Sequence, residues 1–210
     1  ILNAEAGIEL GRSTRVDTRV KPSDESLQAL TARILKAERP VIIVGDELVK
    51  SDALKEAAQL AETLGCPAYQ SSTPYGAQFL SESPCFMGAL ARLQKVARET
   101  LQPYDLIIAL GGDPLRMSVY SETDPLPDGL AIVQVGLVDW DLAKNYSAEI
   151  ALKADVKETL RALVPALKAL GGGALETRAK QGLSALASTN WTARRKPLVE
   201  QISKHATTSP

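Results

Sequence analysis

The sequence predicts a doubly wound α/β domain, a mainly parallel sheet of five or six strands with helices on both faces. Two observations carry this. Short apolar runs recur between residues 40 and 155: Val41-Ile42-Ile43-Val44, Pro67-Ala68-Tyr69, Leu106-Ile107-Ile108-Ala109-Leu110, Ala131-Ile132-Val133-Gln134-Val135 and Glu149-Ile150-Ala151-Leu152. Runs rich in β-branched residues or Leu, without polar alternation, suit strands buried on both faces. Amphipathic helical patterns separate the runs, as right-handed crossovers between parallel strands require.

Taken in order, residues 1–22 are polar and charged with no clear period, and read as an arm or interdomain linker. Ser23-Asp24 caps a predicted helix from Glu25 to Ala37, with Leu27, Leu30, Ile34 and Leu35 as its apolar stripe. Pro40 closes that segment and the first strand follows. Ser51 or Asp52 caps the next helix, whose Leu54, Ala57, Ala58, Ala61 and Leu64 recur at helical spacing. Gly65 falls where a left-handed residue ends a helix, and Pro67 cannot continue it. Residues 72–84 form a long loop rich in Ser, Pro and Gly, of a kind often functional in compact domains.

A helix is predicted from Gly88 to Leu101, then the strand Leu106–Leu110, an irregular Asp113–Pro127 and the strand Ala131–Val135. The last runs into a helical turn at Asp139-Trp140-Asp141. After the final strand, Asp155 caps a helix through Leu170. Gly171-Gly172-Gly173 reads as a flexible break, followed by weaker helical stretches at Leu175–Ala187 and Thr192–His205. The domain plan is thus an arm over 1–23, a central domain over 24–170 and a helical linker over 171–210.

Composition narrows the function. A net charge of −1 and a pI near 6.0 favour neither nucleic acid nor an anionic membrane as partner. Cys66 and Cys85 match no metal-ligand spacing. His205, the sole histidine, lies near the chain's end, which argues against a Ser-His-Asp or Cys-His group and against a histidine zinc site. No apolar run approaches the ~20 residues of a membrane span. With no signal peptide visible, the cytoplasm is the default location. The chain starts at Ile1 and ends in Thr207-Thr208-Ser209-Pro210, so it reads as a piece of a longer protein.

Ligands of doubly wound sheets sit beyond the carboxyl ends of the strands. The loops there are Gly45-Asp46-Glu47 and Gly111-Gly112-Asp113-Pro114. The first lacks the Gly-x-Gly-x-x-Gly of a dinucleotide site, and its acids disfavour phosphate. The second serves either a close-lying ligand or, more simply, a tight turn. The carboxylate pairs Asp46-Glu47 and Asp139/Asp141 suit helix starts better than acid–base catalysis. The residues alone therefore specify a fold and no self-contained active site.

From Leu27 to Leu170 the chain resembles the central domain of thiamin diphosphate-dependent enzymes. Ala37-Glu38-Arg39-Pro40 through Asp46 is similar to that family's first strand. Leu60-Ala61-Glu62-Thr63-Leu64-Gly65-Cys66-Pro67 resembles its first helix running into the second strand. Asp105–Gly111 resembles its "DLVLxLG" strand, and Lys144-Asn145-Tyr146 with Ile150–Asp155 its last strand. Ser83-Pro84-Cys85-Phe86-Met87-Gly88, and Gly111 through Arg116 to Tyr120, look most like the benzoylformate decarboxylase branch.

The resemblance implies a three-domain parent, a decarboxylase or carboligase forming dimers or tetramers, in which this domain contributes a loop to the active site. Thiamin diphosphate and magnesium are then held by the other two domains, one supplying an activating glutamate and the other a Gly-Asp-Gly motif that this sequence lacks. The central domain of some members binds FAD or ADP. Here Gly112-Asp113-Pro114-Leu115-Arg116 departs from the FAD-binding pattern, so FAD is not expected. Any nucleotide is expected in a vestigial crevice of Gly45, Asp46, Gly111, Gly112, Asp113 and Arg116. Benzoylformate decarboxylase-like enzymes place a histidine just before the Pro-Cys-Phe segment, and Ser83 stands there; a hydroxyl donates a hydrogen bond but does not take a proton near neutral pH. Two other readings stay open: an independent nucleotide-binding Rossmann-like module, and a ligand-free scaffold.

Overall fold

The structure, a computed structural model, describes residues 7, 11–14, 16–17 and 19–206, with the side chains of 205 and 206 excepted. Residues 1–6, 8–10, 15 and 18 of the N-terminal arm and the Thr207–Pro210 linker thus lie outside the described residues.

The strands are β1 (Pro40–Val44), β2 (Ala68–Gln70), β3 (Phe86–Ala89), β4 (Leu106–Leu110), β5 (Ala131–Gly136) and β6 (Ile150–Lys153). They form one sheet in the order β3-β2-β1-β4-β5-β6, and every pairing is parallel. This is the doubly wound architecture that the apolar runs predict. The chain reverses direction of travel across the sheet between β1 and β4, which makes that pair the topological switch point.

The central strands explain their own composition. Successive side chains point to opposite faces of a strand. Ile42, Val44, Leu106, Ile108, Leu110, Val133 and Val135 enter one hydrophobic cluster. Val41, Ile43, Ile107, Ala109 and Ile132 enter another on the opposite face. Both faces are covered, so either parity admits a polar residue only where its hydrogen bonds are met inside the protein. The first face carries α1 (Asp24–Lys36), α3 (Leu54–Leu64) and α5 (Val156–Leu186); the second carries α4 (Gln94–Leu101) and the irregular segment through Leu115 and Leu130.

Several helix ends follow the sequence. The Ser23 hydroxyl accepts the Ser26 N–H at 3.2 Å, and the Asp155 carboxylate accepts the Glu158 N–H at 2.9 Å. Gly65 is left-handed at the end of α3. Residues 19–22 run into the domain, where the Val20 carbonyl accepts the Asp155 N–H at 2.8 Å.

Three local readings change and one holds. The predicted helix from Gly88 starts only at Gln94, because Phe86–Ala89 is an edge strand on β2 and Gly88 has φ +93°, which no helix tolerates. A short helix, α2 (Glu47–Lys50), occupies the first loop. Asp52 does not cap α3; it has φ +52°, and its carboxylate pairs with Lys157. Gly171-Gly172-Gly173 does interrupt the helix where the sequence places a break: Gly172 is non-helical, at φ +48° and ψ −147°, and two helices meet there across a kink within α5. Leu175 and Ala179, four residues apart, bury the continued helix against the domain, so it stays packed. There Gly182 touches Gly65, and a side chain at either position would meet backbone at 2.0–2.4 Å. Finally, α6 (Trp191–Ala206) lays Trp191 against Phe86 of the edge strand, with ring centroids 6.0 Å apart.

Candidate functional site

The carboxyl ends of β1 and β4 face a crevice of about 210 Å³, lined by Gly45, Asp46, Glu47, Gly111, Gly112, Asp113 and Arg116 among others. The structure thus brings together all six residues of the crevice expected from the strand ends. It does so through backbone contact. A Cβ on Gly45 would lie 2.4 Å from the Gly111 carbonyl oxygen and 2.9 Å from the Gly112 Cα. The Gly45 N–H donates to the Leu110 carbonyl, and the Glu47 N–H to the Gly111 carbonyl. These glycines let two loops interlock, which supports the tight-turn reading over ligand approach.

The two acids of the first loop serve the fold. Glu47 is buried, and its carboxylate accepts the N–H groups of Leu137 and Val138 at 2.7 and 3.1 Å. Asp46 accepts the Gln78 side-chain amide and the Tyr75 N–H. Asp113 accepts the Leu115 N–H at 3.2 Å and the Asn145 amide. Their charge is directed at donors of the protein itself, so they repel an incoming phosphate less than a bare loop would. Lys50, Arg116 and Lys144 also line the crevice, and none forms an ion pair among the described residues. Lys144 instead lies 5.0 Å over the exposed ring of Trp140. The buried Thr73 hydroxyl at the same crevice has no hydrogen-bond partner among the described residues.

Three buried polar residues were not legible as site-builders. Gln134, in the middle of β5, donates to the carbonyls of Gly112 and Asp141 and accepts the Ala143 N–H, so it ties the β5–β6 connection to the crevice. Gln78 is fully buried inside the long loop and accepts from both the N–H and the hydroxyl of Ser71. Glu47 is the third. The one available signal was Gln134, a lone amide in an otherwise apolar strand.

Ser83 lies elsewhere. It precedes β3, so it sits at the edge where the parallel strands begin, opposite the crevice. It is buried; its hydroxyl accepts the Cys85 N–H and donates to Glu62, each at 3.4 Å. The adjoining Pro84 carbonyl accepts the Asn190 amide at 3.2 Å.

No group of three His, Cys, Asp or Glu residues able to hold a metal occurs among the described residues. Asp46, Glu47 and Asp113 of the crevice are committed to N–H donors. The described residues therefore do not fit a magnesium–diphosphate group, and no catalytic step is assigned to them. No described helix is long and apolar enough to cross a membrane.

Comparison with known proteins bears on the same residues. Residues 27–163 match the model of the thiamine pyrophosphate (thiamin diphosphate) enzyme central domain. The chain is 29% identical over 161 residues to benzoylformate decarboxylase of Pseudomonas aeruginosa, covering 77% of this chain and 30% of that protein. It is 30% identical over 156 residues to sulfoacetaldehyde acetyltransferase of Alcaligenes xylosoxydans, covering 73% and 26%. The solved thiamine diphosphate-dependent 4-hydroxybenzoylformate decarboxylase of Rhodococcus jostii superimposes with a TM-score of 0.66 at 26% identity, over 73% of this chain and 29% of that one. The chain thus spans about a third or less of the length of these relatives.

Proposed function

The chain belongs to the central-domain family of thiamine pyrophosphate enzymes, and on that premise we propose that it is the structural middle of a thiamin diphosphate-dependent 2-oxo acid decarboxylase or carboligase. The observation that carries this is the family match over 27–163, together with relatives more than three times as long as the matched part. In this reading two further domains of the same polypeptide bind thiamin diphosphate and magnesium, and the parent is a cytoplasmic homo-oligomer. The central domain sets the spacing of its neighbours and presents the loop of residues 72–84. The test is turnover by the full-length parent of benzoylformate and pyruvate with thiamin diphosphate and magnesium. Absence of decarboxylation and carboligation with any 2-oxo acid would overturn it.

The 210-residue chain by itself is expected neither to bind thiamin diphosphate nor to turn over 2-oxo acids. It has no Gly-Asp-Gly motif, and the crevice acids Asp46, Glu47 and Asp113 already accept from donors of the protein. Calorimetric titration with thiamin diphosphate and magnesium checks this; saturable binding at micromolar concentration is the contrary result. The unpaired cations Lys50, Arg116 and Lys144 favour weak binding of a nucleotide's phosphates in the crevice. Its 210 Å³ falls short of the ~300–1,000 Å³ usual for a ligand site, so tight FAD binding is not expected.

Ser83 enters as a positioning residue of the loop, holding Cys85 and Glu62 rather than moving a proton. In the full-length enzyme Ser83→Ala is expected to change kcat by less than about tenfold, the scale of one neutral hydrogen bond. A general acid or base would contribute ~100-fold or more. Steady-state kinetics of Ser83→Ala and Ser83→His read the difference, and a hundredfold loss in the alanine variant would contradict the assignment.

A further inference from the structure

The edge of the sheet opposite the crevice holds a second cavity, of about 400 Å³. Its walls come from the segments entering β1, β2 and β4 and from the continued part of α5: Arg39, Leu64, Cys66, Tyr104, Arg178 and Leu186. Its volume lies within the ~300–1,000 Å³ of ordinary small-molecule sites, and its lining is mostly apolar with few polar groups, as such sites are.

Arg178 is the unusual member. Two buried side-chain atoms lack a hydrogen-bond partner among the described residues, the Thr73 hydroxyl and the Arg178 Nε. One Arg178 Nη donates to the Ala37 carbonyl at 2.7 Å; no carboxylate among the described residues pairs with the guanidinium. The neighbouring Cys66 does not neutralise it, because burial pushes the thiol pKa up and keeps it protonated. A half-buried cation without a counter-charge is costly unless something supplies one. Arg39 on the rim is likewise without an ion pair. Glu38, the one acid of the rim, is exposed, so the walls and rim carry two positive charges against one negative.

We propose that this cavity is a binding site for a small monocarboxylate with an apolar body, the carboxylate taken by the Arg178 guanidinium and the body by the wall of Leu64, Tyr104 and Leu186. A planar fork of N–H donors matches a carboxylate in two-point contact, which a lysine would not. The Nε–H is itself enclosed, so the carboxylate is met at the Nη end of the fork, where one Nη is shared with the Ala37 carbonyl. The site is separate from the strand-end crevice and independent of how the crevice is used.

The test is titration of the ¹⁵N-labelled chain with benzoate, benzamide and acetate, followed by amide and arginine Nε–H shifts. Benzoate is expected to give saturable shifts at Arg178, Cys66, Tyr104 and Gly182, with the residues of the first crevice unmoved. Benzamide, which lacks the charge, and acetate, which lacks the body, are each expected to bind at least tenfold more weakly. Arg178→Gln, with its fold checked by circular dichroism, is expected to lose at least tenfold in benzoate affinity. The proposal fails if benzoate does not saturate by about 20 mM, if benzamide or acetate binds as well as benzoate, or if a folded Arg178→Gln chain binds benzoate unchanged. The comparison of the three probes needs no variant, so it decides even if Arg178→Gln does not fold.

Discussion

Glu47→Ala is expected to destabilise the domain by about 3 kcal/mol, the sum of two hydrogen bonds to a charged acceptor at the lower end of their range. The carboxylate is buried and accepts the Leu137 and Val138 N–H groups. Those two amides begin the loop after β5, and no other acceptor is recorded for them. Truncating the side chain removes the acceptor from both donors; Leu137 is half-buried and Val138 exposed, so the loss is that of two charge-assisted bonds less what water restores. Glu47→Gln is expected to recover part of the loss, since one amide oxygen remains to accept. Urea denaturation at neutral pH reads both, as a shift in midpoint at unchanged slope. A loss under about 1 kcal/mol for Glu47→Ala would mean that water replaces the carboxylate at little cost.

The same residue shows where a sequence stops being informative. β1, β4 and β5 are legible because each is buried on both faces, so hydrophobicity runs along them with Gln134 the one polar interruption and needs no knowledge of the partner. The caps at Ser23 and Asp155 are legible because donor and acceptor lie three residues apart. Glu47 and Leu137 are separated by 90 residues, and nothing near Glu47 distinguishes an acid that repels a ligand from one that holds a loop. Gln78 and Gln134 share that property. β3 escaped for a different reason: Phe86-Met87-Gly88-Ala89 is four residues long, on an edge, and contains a glycine whose positive φ no propensity reveals. That the strand ends of β1 and β4 open on a crevice follows from topology, through the switch-point rule, while the meaning of its glycines and acids waited on the packing.

Those glycines set the other large effect. Gly45→Ala is expected to destabilise the domain by about 3 kcal/mol, the upper end of ordinary overpacking, and Gly45→Val by more. The added Cβ would lie 2.4 Å from the Gly111 oxygen, 2.9 Å from its carbonyl carbon and 2.9 Å from the Gly112 Cα. All three are backbone atoms, so no side chain can rotate away. Nor can the opposing loop retreat. Gly111 has φ +73° and itself lies against α2, where its own Cβ position is 2.8 Å from the Leu48 nitrogen and 2.9 Å from the Glu47 Cβ. Pushing Gly111 back therefore presses on the residue that holds the β5 loop, and the strain spreads through the hydrogen bonds of Glu47. Gly76→Ala is the control: nothing lies within 4 Å of its Cβ position and its φ is not positive, so that variant is expected within about 0.5 kcal/mol of the parent chain. Denaturation midpoints of the three variants check the contrast. If Gly45→Ala proves as harmless as Gly76→Ala, the two loops are not interlocked, and the crevice would have room for the phosphates of a nucleotide that this packing leaves too little space to hold tightly.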